Sequence, residues 1–131
     1  MKLSTLTSYP NHSVSSVVAQ LFLQNKTKLK HPPRILMMYG SLRKRSYSRL
    51  LAEEAARLLT SFGAEVQFFH PENLPPANLE LTQTDDESKL PEEVQKLRRL
   101  VNWCEAMVWS GNEVHGTISA VLKNQIDHLE N

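Results

Sequence analysis

The feature that most constrains this chain is the run Ile35-Leu36-Met37-Met38-Tyr39, closed in front by Pro32-Pro33 and behind by Gly40. Five consecutive apolar residues have no polar face to turn to water, and the run is too short for a buried helix. Such a segment reads as a strand covered on both sides, the arrangement found in parallel sheets. Parallel strands need crossover connections, and the rest of the chain supplies them.

After a polar loop over residues 40–46, apolar residues at Leu50, Leu51, Ala55, Leu58, Leu59 and Phe62 recur at helical spacing. Glu53, Glu54 and Arg57 take the wet side, and Gly63 suits the stop. Residues 64–69 alternate as a second strand. Residues 70–90, with Pro71, Pro75, Pro76 and the acidic Asp85-Asp86-Glu87, follow neither period and read as a long connection. Pro91, Glu92 and Glu93 open a second helix whose stripe is Val94, Leu97, Leu100 and Val101. Residues 106–109 form a third apolar strand, 110–116 a polar loop, and 117–129 a helix with Ile118, Val121, Leu122, Ile126 and Leu129 on one face. The order β-α-β-α-β-α predicts an open parallel sheet with right-handed crossovers and helices on both faces.

With 131 residues, 40% of them apolar, the chain builds one core, and no apolar run approaches the about 20 residues of a membrane span. The single cysteine, Cys104, excludes an intrachain disulfide framework and a multi-cysteine zinc site, so a reducing cytoplasmic compartment is expected. Net charge is +1, yet no acid precedes Glu53, and the first 52 residues carry nine of the fifteen Lys and Arg. Residues 1–33, rich in Ser, Thr and Asn, read as a partly ordered extension ahead of the domain at 34–131.

In an open parallel sheet, ligands bind beyond the carboxyl ends of the strands, where strand order reverses. Two polar loops fall there. The first joins the first strand to the first helix and gathers Ser41, Ser46, Ser48, the Tyr47 phenol and three cations, among them Arg43. A helix N-terminus with hydroxyls and arginines is a site for a phosphate dianion. The loop lacks the Gly-Lys-Ser/Thr of a nucleoside triphosphate site and the three-glycine dinucleotide fingerprint. A terminal phosphomonoester such as that of flavin mononucleotide remains, against the plainer reading of a solvated charge run.

These residues carry a resemblance. Tyr39-Gly40-Ser41-Leu42-Arg43-x-Arg45-Ser46-Tyr47-Ser48-Arg49 resembles the phosphate loop of the ArsH-type arsenical-resistance flavoproteins. Glu113-Val114-His115-Gly116-Thr117, with Lys123-Asn124-Gln125-Ile126-Asp127 behind it, is similar to the loop after the third strand in the wider NADPH-dependent FMN reductase family. The resemblance implies a flavodoxin-like fold truncated after its third β-α unit, with FMN and NADPH as cofactors. It further implies hydride transfer to oxygen, quinone, azo or organoarsenical acceptors. Ser41, Arg43, Ser46, Tyr47 and Ser48 then match the positions that hold the phosphate, and Glu113, Val114, His115 and Gly116 those beside the isoalloxazine. Gly111-Asn112 stands where the family commonly has Ser-Pro, and His128 where it has tryptophan.

The reductase family's full strand order, 2-1-3-4-5, would leave the third strand as an unpaired edge here, so a homo-oligomer is expected. Hydride transfer needs no acid-base side chain, so none is assigned. His115 is read as a polar contact, Cys104 as an inert half-buried thiol, and Trp103 and Trp109 as core packing. The acids at 85–87 lack the spaced ligands of a calcium loop, so no metal is expected. Nucleic-acid and membrane partners are not expected either. A non-catalytic fragment that binds phosphate weakly and acts through subunit association is the alternative.

Overall fold

A computed structural model describes residues 30–82, 84 and 86–129, and the regular elements among the described residues lie in the unit Pro32–Asn131. The expected extension, apart from residues 30–33, and Asp85 lie outside the described residues. Strand β1 (Arg34–Tyr39) leads into helix α1 (Tyr47–Ser61), then β2 (Glu65–Phe68), a one-turn helix α2 (Leu79–Thr82), helix α3 (Glu92–Trp103) and β3 (Ala106–Ser110). The two-residue strands β4 (Glu113–Val114) and β5 (Thr117–Ile118) precede helix α4 (Ala120–Asp127). The main sheet has the order β2-β1-β3, all parallel, with Ile35 beside Ala106 and Tyr39 beside Ser110. This is the expected flavodoxin-like α/β arrangement.

The central position of β1 follows from its sequence. Leu36, Met37, Met38 and Tyr39 are fully buried, and alternation sends them to two separate cores. Ile35, Met37 and Tyr39 pack with Ala52 and Ala56 of α1 on one face. Leu36 and Met38 meet Phe69, Leu97 of α3 and Leu122 of α4 on the other. Each fully buried Leu, Ile or Met side chain contributes about 1.5–3 kcal/mol, so the one run that faces both layers dominates the fold.

Helix ends are set by local chemistry. Ser46 caps α1, its hydroxyl accepting from the Arg49 amide at 3.1 Å, and Gly63 at φ 92° takes the left-handed turn that ends the helix. Ser119 caps α4 by accepting from the Leu122 amide.

Three details depart from the sequence reading. The connection over residues 70–90 contains short helical turns at Pro71–Asn73, Leu79–Thr82 and Glu87–Lys89, each too brief to show a period. Residues 113–118 form an antiparallel hairpin, so the last helix starts at Ala120 and not at 117. His115 at φ 51° and Gly116 at φ 80° are its two turn residues, the paired positive angles of a type I′ turn. Trp109 is half exposed and not core, because β3 is the edge of the described sheet.

Candidate phosphate and ring-binding crevice

The chain leaves β1 toward α1 on one face of the sheet and leaves β3 toward α4 on the other. The C-terminal ends of these neighbouring strands therefore bound a crevice at the topological switch point. Both loops singled out from the sequence open onto it.

Gly40 is the hinge between them. Its amide donates to the Ser110 carbonyl at 3.0 Å, and its carbonyl accepts from the Ser119 hydroxyl at 2.7 Å. A Cβ at Gly40 would come within 2.6 Å of Ser119 Oγ and 3.1 Å of Asn112 Oδ1, so only glycine allows this approach. Gln125 Nε2 donates to the Tyr39 carbonyl at 2.9 Å, tying α4 to the same corner.

In the first loop, Ser46 and Ser48 are buried and their hydroxyls lie 3.3 Å apart. Ser46 is committed to capping, and half-buried Ser41 accepts from the Arg43 amide at 3.3 Å. The Tyr47 and Ser48 amides, in the first turn, have no acceptor within the helix. That turn carries no acid, so the partial positive charge of the helix end is uncompensated. Arg43, Lys44 and Arg45 are exposed, and none of the three has an ion-pair partner among the described residues. Tyr47 is 91% exposed, unlike the buried Ser46 and Ser48 on either side of it.

Arg49 belongs to a different cluster. Its guanidinium pairs with Glu53 at 2.9 Å and Glu72 at 3.6 Å and lies over the Tyr39 ring. The Tyr39 hydroxyl donates to Glu72 and sits 2.8 Å from His70 Nδ1. Burial and the Glu72 carboxylate push the Tyr39 phenol up to about 12. The hydrogen bond from Arg49 to Glu53 raises the guanidinium further, fixing its charge.

In the second loop, Glu113, Val114, His115 and Gly116 are all exposed, and the Glu113 carboxylate accepts from the Gly116 amide, clasping the hairpin. The hairpin therefore offers backbone groups and a fixed turn. Gly111-Asn112 brings Asn112 against Gly40. His128 is fully buried with Nε2 2.9 Å from the Pro75 carbonyl, and Asn124 donates to that carbonyl while accepting from the Ala77 amide at 2.7 Å. Together they hold the segment after β2 against α4.

Ser119, Asn112, Gln125 and the spacing role of Gly40 are absent from the sequence-derived set. A serine directly before an apolar-periodic segment is a capping signal that could have found Ser119, although the sequence reading began the helix at 117; no sequence signal announces the other contacts. Burial pushes the Cys104 thiol up, consistent with an inert group. Among the described residues no cluster of three His, Cys, Asp or Glu is placed to hold a metal ion, and no helix is long and apolar enough to cross a membrane.

A crevice at the switch point of a parallel 2-1-3 sheet, with an acid-free helix N-terminus on one side and a fixed hairpin on the other, defines a flavodoxin-like domain with an anion-receptive turn. The chain belongs to the NADPH-dependent FMN reductase family, whose model matches residues 33–131. It is 52% identical over 98 residues to a protein of Shigella flexneri named NADPH-dependent FMN reductase ArsH, covering 75% of this chain and 36% of that one. Proteins of the same name from Acidithiobacillus ferrooxidans and Rhizobium meliloti are 46% identical over 107 residues and 50% over 99. Those matches cover 82% and 76% of this chain but 42% and 38% of the relatives. The chain thus spans about two fifths of the length of these relatives.

Proposed function

We propose that this chain carries the FMN-phosphate corner of an NADPH-dependent FMN reductase of the ArsH type, acting in the cytoplasm as a homo-oligomer. The observation that carries this reading is the convergence of the two loops on the β1/β3 crevice, where the donor set suits a phosphate dianion. The Tyr47 and Ser48 amides, the Ser41 and Ser48 hydroxyls and the Arg43 guanidinium would hold the monoester, with Ser46 keeping the turn in shape. The backbone of Glu113, Val114, His115 and Gly116 would lie along the ring system. When bound, FMN supplies hydride acceptance from NADPH and delivery of the electrons to oxygen, a quinone, an azo compound or an organoarsenical. The protein's part is position and electrostatics, and no side chain is assigned a proton-transfer step.

Titration of the chain with FMN and with riboflavin, followed by flavin fluorescence, tests the anchor. FMN is expected to bind more tightly than riboflavin, which lacks the phosphate, and inorganic phosphate is expected to compete. Each charge-assisted bond lost in Arg43→Ala should weaken FMN by about 1.5–3 kcal/mol. Equal affinity for FMN and riboflavin, or an unchanged Arg43→Ala, would overturn the assignment. Bleaching of the bound flavin by NADPH separates an enzyme from a domain that only binds and associates.

A further inference from the structure

The Ser110 hydroxyl is buried and has no hydrogen-bond partner among the described residues. Buried polar side chains left in that state are uncommon, because the lost hydration is not replaced. Ser110 closes β3, and its register partner is Tyr39 at the end of β1. Paired residues of parallel strands share a face, so Ser110 follows Val108 and lies beside Tyr39 on the side of the sheet covered by Ala52 and Ala56 of α1. The oxygen is thus placed at the carboxyl rim, on the face where the chain turns into α1.

That rim is the path between the two loops. The phosphate contacts assigned above follow β1, and the ring contacts follow β3. In FMN a ribityl chain joins phosphate to ring, so a molecule held at both ends carries its ribityl hydroxyls across the ends of these two strands. The strand ends are bonded there, the Gly40 amide donating to the Ser110 carbonyl at 3.0 Å. Gly40 has no side chain, and its carbonyl already takes the proton of the Ser119 hydroxyl. Tyr39 sends its hydroxyl the other way, to Glu72 and His70 beyond β2. Ser110 is left with an unused donor at the crossing. Serine χ1 has three staggered wells, so the oxygen turns to a ligand at the rim by a rotamer change while the Gly40 bond holds the backbone.

We propose that Ser110 is a ribityl-binding residue, its hydroxyl donating to an oxygen of the polyol chain between phosphate and ring. The assignment rests on the flavin reading above and adds the part of the ligand that neither loop holds. The test compares three flavins on wild type and Ser110→Ala by fluorescence titration: FMN, riboflavin, which keeps the polyol chain without the phosphate, and lumiflavin, which lacks both. Ser110→Ala should weaken FMN and riboflavin alike, by about two- to tenfold, and leave lumiflavin unchanged. Without flavin, Ser110→Ala should melt at or above the wild-type temperature, because it removes a buried group that has no partner. FMN tighter than riboflavin, with neither changed by Ser110→Ala, would overturn this assignment alone. FMN and riboflavin binding equally, both still weakened by Ser110→Ala, would overturn the phosphate anchor and keep this assignment. An equal loss for lumiflavin, or a lower melt of the flavin-free variant, would make Ser110 a structural residue and overturn the proposal. A chain that binds none of the three overturns both readings.

Discussion

Ser119→Ala removes one hydroxyl that serves two partners. The oxygen accepts from the Leu122 amide as the cap of α4, and its proton goes to the Gly40 carbonyl at 2.7 Å in a buried setting. Loss of a serine cap costs about 1 kcal/mol, within a range of roughly 0.5–2. Leaving a buried carbonyl short of its donor costs about 1–3 kcal/mol more. The two effects share one atom and need not add fully, so destabilisation of about 2–4 kcal/mol is expected. Urea denaturation followed by far-UV circular dichroism reads this as a lower midpoint at constant slope. A thermal melt should drop by more than about 8 °C, since each kcal/mol moves a domain of this size by about 4–8 °C. Ser119→Thr keeps the hydroxyl and should recover all but about 1 kcal/mol. A Ser119→Ala loss below about 0.5 kcal/mol, or a threonine variant as weak as the alanine one, would refute the account given of this corner.

Gly40→Ala should destabilise by about 1–3 kcal/mol through overpacking against Ser119 Oγ at 2.6 Å. Gly40→Ala combined with Ser119→Ala should lose less than the sum of the singles, as a double-mutant cycle will read. Asn124→Ala removes bonds to the Pro75 carbonyl and the Ala77 amide and should cost about 1–3 kcal/mol by urea titration. Tyr39 has a folded-state value of about 12 against 10.0, so its contribution is complete below pH 10 and is lost as pH rises toward 12. Wild type should therefore lose stability across that window relative to Tyr39→Phe; parallel stability curves for the two proteins would contradict this.

The main architecture was legible because β1 admits one reading. A five-residue apolar run between proline and glycine must be covered on both faces, and the helical stripes that follow it can only be the covers. The turn from β1 into α1 was legible for a similar reason, since Gly40 ends the apolar run and the helical period begins a few residues later. The hairpin at 113–118 escaped because two-residue strands have no measurable alternation, and its turn uses His-Gly in place of the commoner Asn-Gly. Trp109 was misplaced because an aromatic residue in an apolar run says nothing of whether its strand is central or at the edge. The convergence of Asn112, Ser119 and Gly40 depends on residues about seventy to eighty positions apart, a relation that periodicity cannot carry. The Arg49 cluster is another such case: the motif contains Arg49, but only the folded chain brings Glu72 to it.

The bond from Ser119 to Gly40 joins positions 79 residues apart. A nascent chain that has completed β1 and α1 already owns the turn that joins them, yet lacks the lock that sets the turn's first peptide against the second loop. Non-local closures of this kind form late, after loop entropy has been overcome, and high contact order slows them. The crevice therefore rests on a long-range closure that neither loop can make from its own local sequence.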